Sequence, residues 1–179
     1  GLPLVVLDTT HPDAIVATGA AASLSETLFI SASKSGTTIE VSALTAYFYQ
    51  QVKAQRGQAA GENFVAITDA GSALQHYAEA HDFRRCFLNP ADVGGRFSVL
   101  TAFGMVPAAL LGLDLERMVC SAYDARAASG LDTPGADPSA LRLGQAMARS
   151  AMAGRNKLTL LLSPQLGAFS VWVEQLVAE

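Results

Sequence analysis

Three stretches of the chain hold side chains whose types and spacing could do chemistry. The first is Ser33-Lys34-Ser35-Gly36-Thr37-Thr38, with four hydroxyls, one lysine, one glycine and no acid in six residues. It follows a strand-type run at 27–32 and opens a helical pattern over 38–56. The first turn of a helix presents backbone N–H groups without intrahelical partners, and the helix dipole favours an anion there. Gly36 would let the backbone close round a ligand. The nucleotide pattern G-x-x-x-x-G-K-[ST] is missing, so a monophosphate suits so short a cradle better. The same residues would also make an ordinary strand-to-helix turn capped by Thr37 or Thr38, and composition does not separate the two.

The second stretch is Asn89-Pro90-Ala91-Asp92-Val93-Gly94-Gly95-Arg96-Phe97-Ser98. Its paired glycines allow a tight backbone with positive φ and would aim Arg96 at the start of an apolar helix. A guanidinium there could stabilise an oxyanion; the plainer alternative is a turn whose arginine is solvated or paired with Asp92. The third stretch is Trp172-Val173-Glu174-Gln175-Leu176-Val177-Ala178-Glu179, where Gln175 and Glu179 share one helix face at i,i+4. A carboxylate beside the ligand edge of a sheet could be a general base, and a solvated helix charge is the alternative. His11, His76 and His81 are scattered, and none has metal-ligand spacing with Cys86 or Cys120. Asp8 and Asp69 end strand-type runs, which places them either at a ligand edge or at helix caps.

The elements that would position these residues alternate in type. Runs at 3–7, 27–32, 63–68, 84–88 and 157–162 are continuously apolar, as strands buried on both faces of a parallel sheet are. Helical patterns fill 38–56, 71–81, 97–111, 114–129, 139–153 and 169–178. In 38–56 the apolar stripe is Val41, Leu44, Phe48 and Val52, with Gly57 as its stop. Pro107 should kink or split 97–111, and Asp114 should cap the next helix. Residues 130–138 read as a loop. Strands and helices in alternation imply right-handed crossovers and a layered α/β sandwich, with ligands beyond the C-terminal ends of the strands.

Composition narrows the function classes. The 179 residues are 50% hydrophobic and 16% charged, which excludes a disordered chain. A net charge of −4 argues against nucleic acid as a partner. The most apolar run, 103–113, is too short for a membrane span and contains Pro107. No secretory leader is expected, and two cysteines outside any CxxC pair suit a reducing cytoplasm.

Taken in order, 33–40, 89–98 and 172–179 resemble the phosphoglucose isomerase family. Glu62-Asn-Phe-Val-Ala-Ile-Thr-Asp69 and Asn156-Lys-Leu-Thr-Leu-Leu-Leu162 are similar to the isomerase half of bifunctional transaldolase/phosphoglucose isomerases. The resemblance implies sugar isomerase domains, three-layer α/β/α sandwiches of flavodoxin-like or Rossmann-like type with a mostly parallel sheet. It implies interconversion of glucose 6-phosphate and fructose 6-phosphate without metal or cofactor. Ser33, Lys34, Ser35, Gly36, Thr37 and Thr38 would hold the phosphate, Arg96 would stabilise the enediolate, Gln175 would contact the sugar, and Glu179 would carry the proton between C2 and C1.

The resemblance also sets the expected organisation. Residues 1–113 would be a first sugar isomerase domain lacking its first strand, 114–154 a helical connector and 155–179 the start of a second domain. The family's Gly-Gly-Ser phosphate loop would precede residue 1, and its ring-opening histidine and C-terminal lysine would follow residue 179. The chain is thus expected to be an internal piece, inactive alone, of a homodimeric or transaldolase-fused parent. The run 157–162 is expected to fill the gap of the missing strand or to pair with a second copy. The alternatives are a non-catalytic phosphosugar-binding sensor, which needs neither Arg96 nor Glu179, and a nucleotide-binding domain, which the missing fingerprints disfavour.

Overall fold

The computed structural model describes residues 3–130 and 139–178; the expected loop at 130–138 lies almost wholly outside them. The chain divides into two compact units, Gly1–Leu113 and Asp114–Glu179.

The first unit opens with helix α1 (Pro12–Ala21). Its sheet is built from β1 (Phe29–Ala32), β2 (Phe64–Asp69) and β3 (Arg85–Asn89), all parallel and in the spatial order β1-β2-β3. Helix α2 (Ile39–Arg56) crosses from β1 to β2, and α3 (Ala73–Ala80) from β2 to β3. Phe29 stands opposite Phe64, and Val65 opposite Arg85.

The central strand β2 is buried on both faces, with Phe64, Ala66, Ile67 and Thr68 fully covered. Alternation along the strand puts Phe64 and Ala66 on one face. Phe64 packs there with Phe48, Tyr49 and Val52 of α2, and Ala66 with Leu74 and Ala78 of α3. Phe29 stacks on Phe48 at 5.1 Å and on Phe64 at 4.8 Å. Both crossover helices therefore share a face, as successive right-handed connections in an in-line strand order require. Val65 and Ile67 point to the other face, where helix α4 (Ala102–Leu110) packs on β2 and β3. The result is a parallel sheet between two helical layers.

Several boundaries carry physical reasons. α2 ends at Gly57, whose φ of 58° suits glycine. Its buried stripe is Thr45, Phe48, Tyr49 and Val52, turned slightly from the predicted one because the Thr45 hydroxyl pairs with Ser31 at 2.8 Å inside the core. The predicted helix over 97–111 is split, but not at Pro107. A 3₁₀ segment, Gly95–Leu100, gives way to α4 at Thr101, which accepts from Phe103 N at 3.4 Å. A Cβ on Gly104 would lie 2.0 Å from Val99 O, so only glycine lets the 3₁₀ backbone fold onto the helix.

Two predicted strands are absent. Residues 3–7 and 157–162 take irregular conformations and add nothing to the three-stranded sheet. Val5 and Val6 are exposed, and Leu161 is 94% exposed. A strand exists only through its ladder, and neither run has a partner strand among the described residues. The expected filling of a sheet gap by 157–162 is thereby corrected.

The second unit is helical. α5 (Leu115–Ser129) starts at Asp114, whose side chain accepts from Arg117 N at 2.9 Å. α6 (Ser139–Met152) and α7 (Gly167–Ala178) follow, and none of these three helices contains a buried residue. Among the described residues no helix is long and apolar enough to cross a membrane.

Candidate functional site

Three parallel strands deliver their C-terminal ends to one edge of the first unit. β1 runs on into Ser33, β2 ends at Asp69 and β3 at Asn89. The 33–38 loop is held there by an extension of the sheet ladder. Ser33 N donates to Ile67 O at 3.0 Å, and Asp69 N donates to Lys34 O at 3.1 Å. Thr68 Oγ1, fully buried, also donates to Lys34 O at 3.2 Å. With its proton so engaged, Thr68 accepts from Ser72 Oγ at 2.7 Å, and Ser72 in turn accepts from Gln75 N at 3.1 Å as the cap of α3. One hydrogen-bonded chain thus joins the loop, the end of β2 and the first turn of α3.

Gly36 sits at φ 68° against that first turn. A Cβ on it would lie 2.6 Å from Leu74 N and 3.0 Å from Ala73 N. Both the backbone angle and the close approach require glycine.

The hydroxyls pair within the loop. Ser33 Oγ lies 2.9 Å from Thr38 Oγ1 and accepts from Gly36 N at 3.2 Å. Ser35 Oγ lies 2.8 Å from Thr37 Oγ1 and accepts from Thr37 N at 3.2 Å. Ser33 is buried, whereas Ser35, Thr37 and Thr38 are exposed. Thr38 occupies the N-cap position of α2, yet neither it nor Thr37 caps the helix through its side chain. The Thr38 hydroxyl is turned to Ser33 instead. Lys34 Nζ lies 2.9 Å from both carboxylate oxygens of Asp69, and both side chains are about one-fifth to one-quarter exposed.

The glycine–arginine loop meets this loop directly: a Cβ on Gly95 would stand 3.9 Å from Lys34 Cδ. Arg96 follows, half-buried, in the 3₁₀ segment, where Ser98 Oγ donates to Gly95 O at 2.6 Å. The predicted positive φ at the paired glycines does not occur; Gly94 has φ −61°, and Gly95 is not among the positive-φ residues. The 3₁₀ turn that begins at Gly95 needs only right-handed angles. Asn89 Nδ2 donates to Thr68 O at 3.4 Å, and its buried Oδ1 has no hydrogen-bond partner among the described residues.

The structure therefore brings the 33–38 loop and the 94–96 turn together. Gln175 stands exposed on α7 in the second unit, and Glu179 lies outside the described residues. Within the second unit a hollow of about 610 Å³ is lined by residues that include Met147, Ala151, Arg155, Lys157, Leu158 and Val177. Among the described residues no three His, Cys, Asp or Glu side chains gather as a metal-ligand group. Sequence reasoning places Asp69 at the ligand edge without finding its partner, and misses the Thr68–Ser72 link. The one signal available is an acid ending a buried strand.

No family model matches the chain. It is 36% identical to a glucose-6-phosphate isomerase of Clostridioides difficile over 152 residues, 82% of this chain and 33% of that protein. It is 37% identical to the glucose-6-phosphate isomerase of Lactobacillus johnsonii over 155 residues, with the same coverage of 82% and 33%. The crystal structure of a hypothetical protein of Thermus thermophilus is 31% identical and matches with a TM-score of 0.73, over 79% of this chain and 35% of that one. Its sequence makes this chain a relative of the glucose-6-phosphate isomerases, spanning about a third of the length of the curated relatives it matches.

Proposed function

We propose that this chain contributes to the interconversion of glucose 6-phosphate and fructose 6-phosphate through an enediolate, as part of a larger catalytic assembly. The observation that carries the proposal is the meeting of the hydroxyl loop with the glycine–arginine turn, Gly95 against Lys34, at the C-terminal edge of the sheet. Ser33, Lys34, Ser35, Gly36, Thr37 and Thr38 would hold the phosphate. Three of these residues, Ser35, Thr37 and Thr38, are exposed, and the start of α2 carries no side-chain cap that would compete with an anion.

The chemistry needs one base that takes a proton from C2 and returns it to C1, and a fixed cation where the oxyanion develops. Glu179 is assigned the first task and Arg96 the second, with Gln175 contacting the sugar. In this reading residues 1–113 form most of a first sugar isomerase domain, 114–154 a connector and 155–179 the start of a second. The setting is a cytoplasmic enzyme, homodimeric or fused to transaldolase.

The test is a coupled assay of fructose 6-phosphate conversion on the whole protein that carries this chain. Glu179→Gln should abolish turnover while leaving sugar phosphate affinity nearly unchanged, because glutamine keeps the shape but cannot take the proton. Arg96→Lys should slow turnover by about 10²–10³, since a point charge on a flexible stem does not copy the planar fork. A whole protein that binds the sugar phosphate and never isomerises it would instead be a phosphosugar sensor.

A further inference from the structure

We propose that Asp69 sets the anion affinity of the 33–38 loop by competing for its one cation. The inference rests on the phosphate-cradle reading above. Lys34 is the loop's only charged side chain, and its ammonium is held 2.9 Å from both oxygens of Asp69. The backbones that carry the pair are tied to each other. Asp69 N donates to Lys34 O, Thr68 donates to the same carbonyl, and Gly95 lies against the lysine stem. With the two backbones tied together, the carboxylate stays within reach of the ammonium when an anion arrives. The anion must share the ammonium and meet the negative charge of Asp69 at close range. A carboxylate so placed penalises every anion. It also reserves the loop for ligands that bring further contacts, such as a phosphate monoester that takes over hydroxyls now paired with one another.

The role is one of charge and not of shape, which makes it separable from a structural one. Asp69→Asn keeps the backbone N–H bond and leaves an oxygen to accept from Lys34, but removes the charge. Titration of the 179-residue chain with inorganic phosphate, followed by amide NMR shifts, should show Asp69→Asn binding about tenfold more tightly than the parent chain. Lys34→Gln leaves the Asp69 charge in place without its cation and should weaken binding by about tenfold or more. Phosphate binding that is unchanged or weaker in a folded Asp69→Asn chain overturns the role of Asp69 and leaves the cradle standing. Should Asp69→Asn lose its native amide dispersion, the Lys34→Gln chain decides, and undiminished binding there overturns the role. Absence of phosphate shifts at 33–38 in every chain removes the cradle itself, and the role of Asp69 with it.

Discussion

The two units solve the problem of apolar sequence differently. In the first, apolar runs that meet build a core: β2 is covered on both faces, and Phe29, Phe48 and Phe64 stack across β1, α2 and β2. In the second, α5, α6 and α7 bury no residue at all, and Leu143, Met152, Leu158 and Leu161 stay exposed. The difference is not one of composition. Residues 157–162 are as apolar as 27–32, but β1 has β2 beside it. Hydrophobicity specifies a strand only where a ladder partner is available, and stability should be concentrated accordingly.

The sharpest way to break that comparison is a matched pair of truncations. Phe64→Ala, fully buried, should cost about 3–5 kcal/mol. Leu161→Ala, 94% exposed, should stay within about 0.5 kcal/mol. Urea unfolding of the two chains measures both, and equal losses would erase the distinction between the units. Next in size is Gly36→Ala, which forces a Cβ into the left-handed region and against Leu74 N. It should cost about 2–3 kcal/mol by the same method, since the neighbouring atoms are backbone and cannot move aside. Thr68→Val removes the hydroxyl linking Lys34 O to Ser72 and should cost about 1–2 kcal/mol. It should also loosen the 33–38 loop, seen as faster exchange of the Asp69 and Gly36 amides.

The smallest effect is chemical. Burial pushes the Cys86 thiol pKa up, and the nearby Glu79 charge adds to this. A raised thiol pKa means less thiolate at neutral pH, so Cys86 should react slowly with Ellman's reagent, gaining speed only as the pH rises. Cys120 is exposed in the second unit and should react first. Mass spectrometry of partly labelled chain would show the order.

Much of the first unit was legible from the residues. The runs 27–32, 63–68 and 84–88 became β1, β2 and β3 within two residues, because buried parallel strands carry continuous apolar sequence. The same criterion misread 3–7 and 157–162, since a partner strand is a tertiary fact. α1 went unassigned although Pro12 at its first position and Asp13 in its first turn are helix-start signals. The strand-to-helix position of Gly36 was readable, but its contact with α3 was not. That contact, like the Lys34–Asp69 pair, depends on the register of β1 against β2, which no local pattern encodes.

The central claim is that the 33–38 loop is an anion site completed by the 94–96 turn. It is tested most directly by titrating the 179-residue chain with glucose 6-phosphate while following amide NMR shifts. The account predicts weak binding, with Kd near the millimolar range and a free energy of about −4 kcal/mol. The shifts should centre on Ser35, Gly36, Thr37, Thr38 and Gly95, and should be lost when Ser35 and Thr38 are both replaced by alanine. Shifts confined to the hollow around Arg155 and Lys157, or unaffected by those replacements, would contradict it.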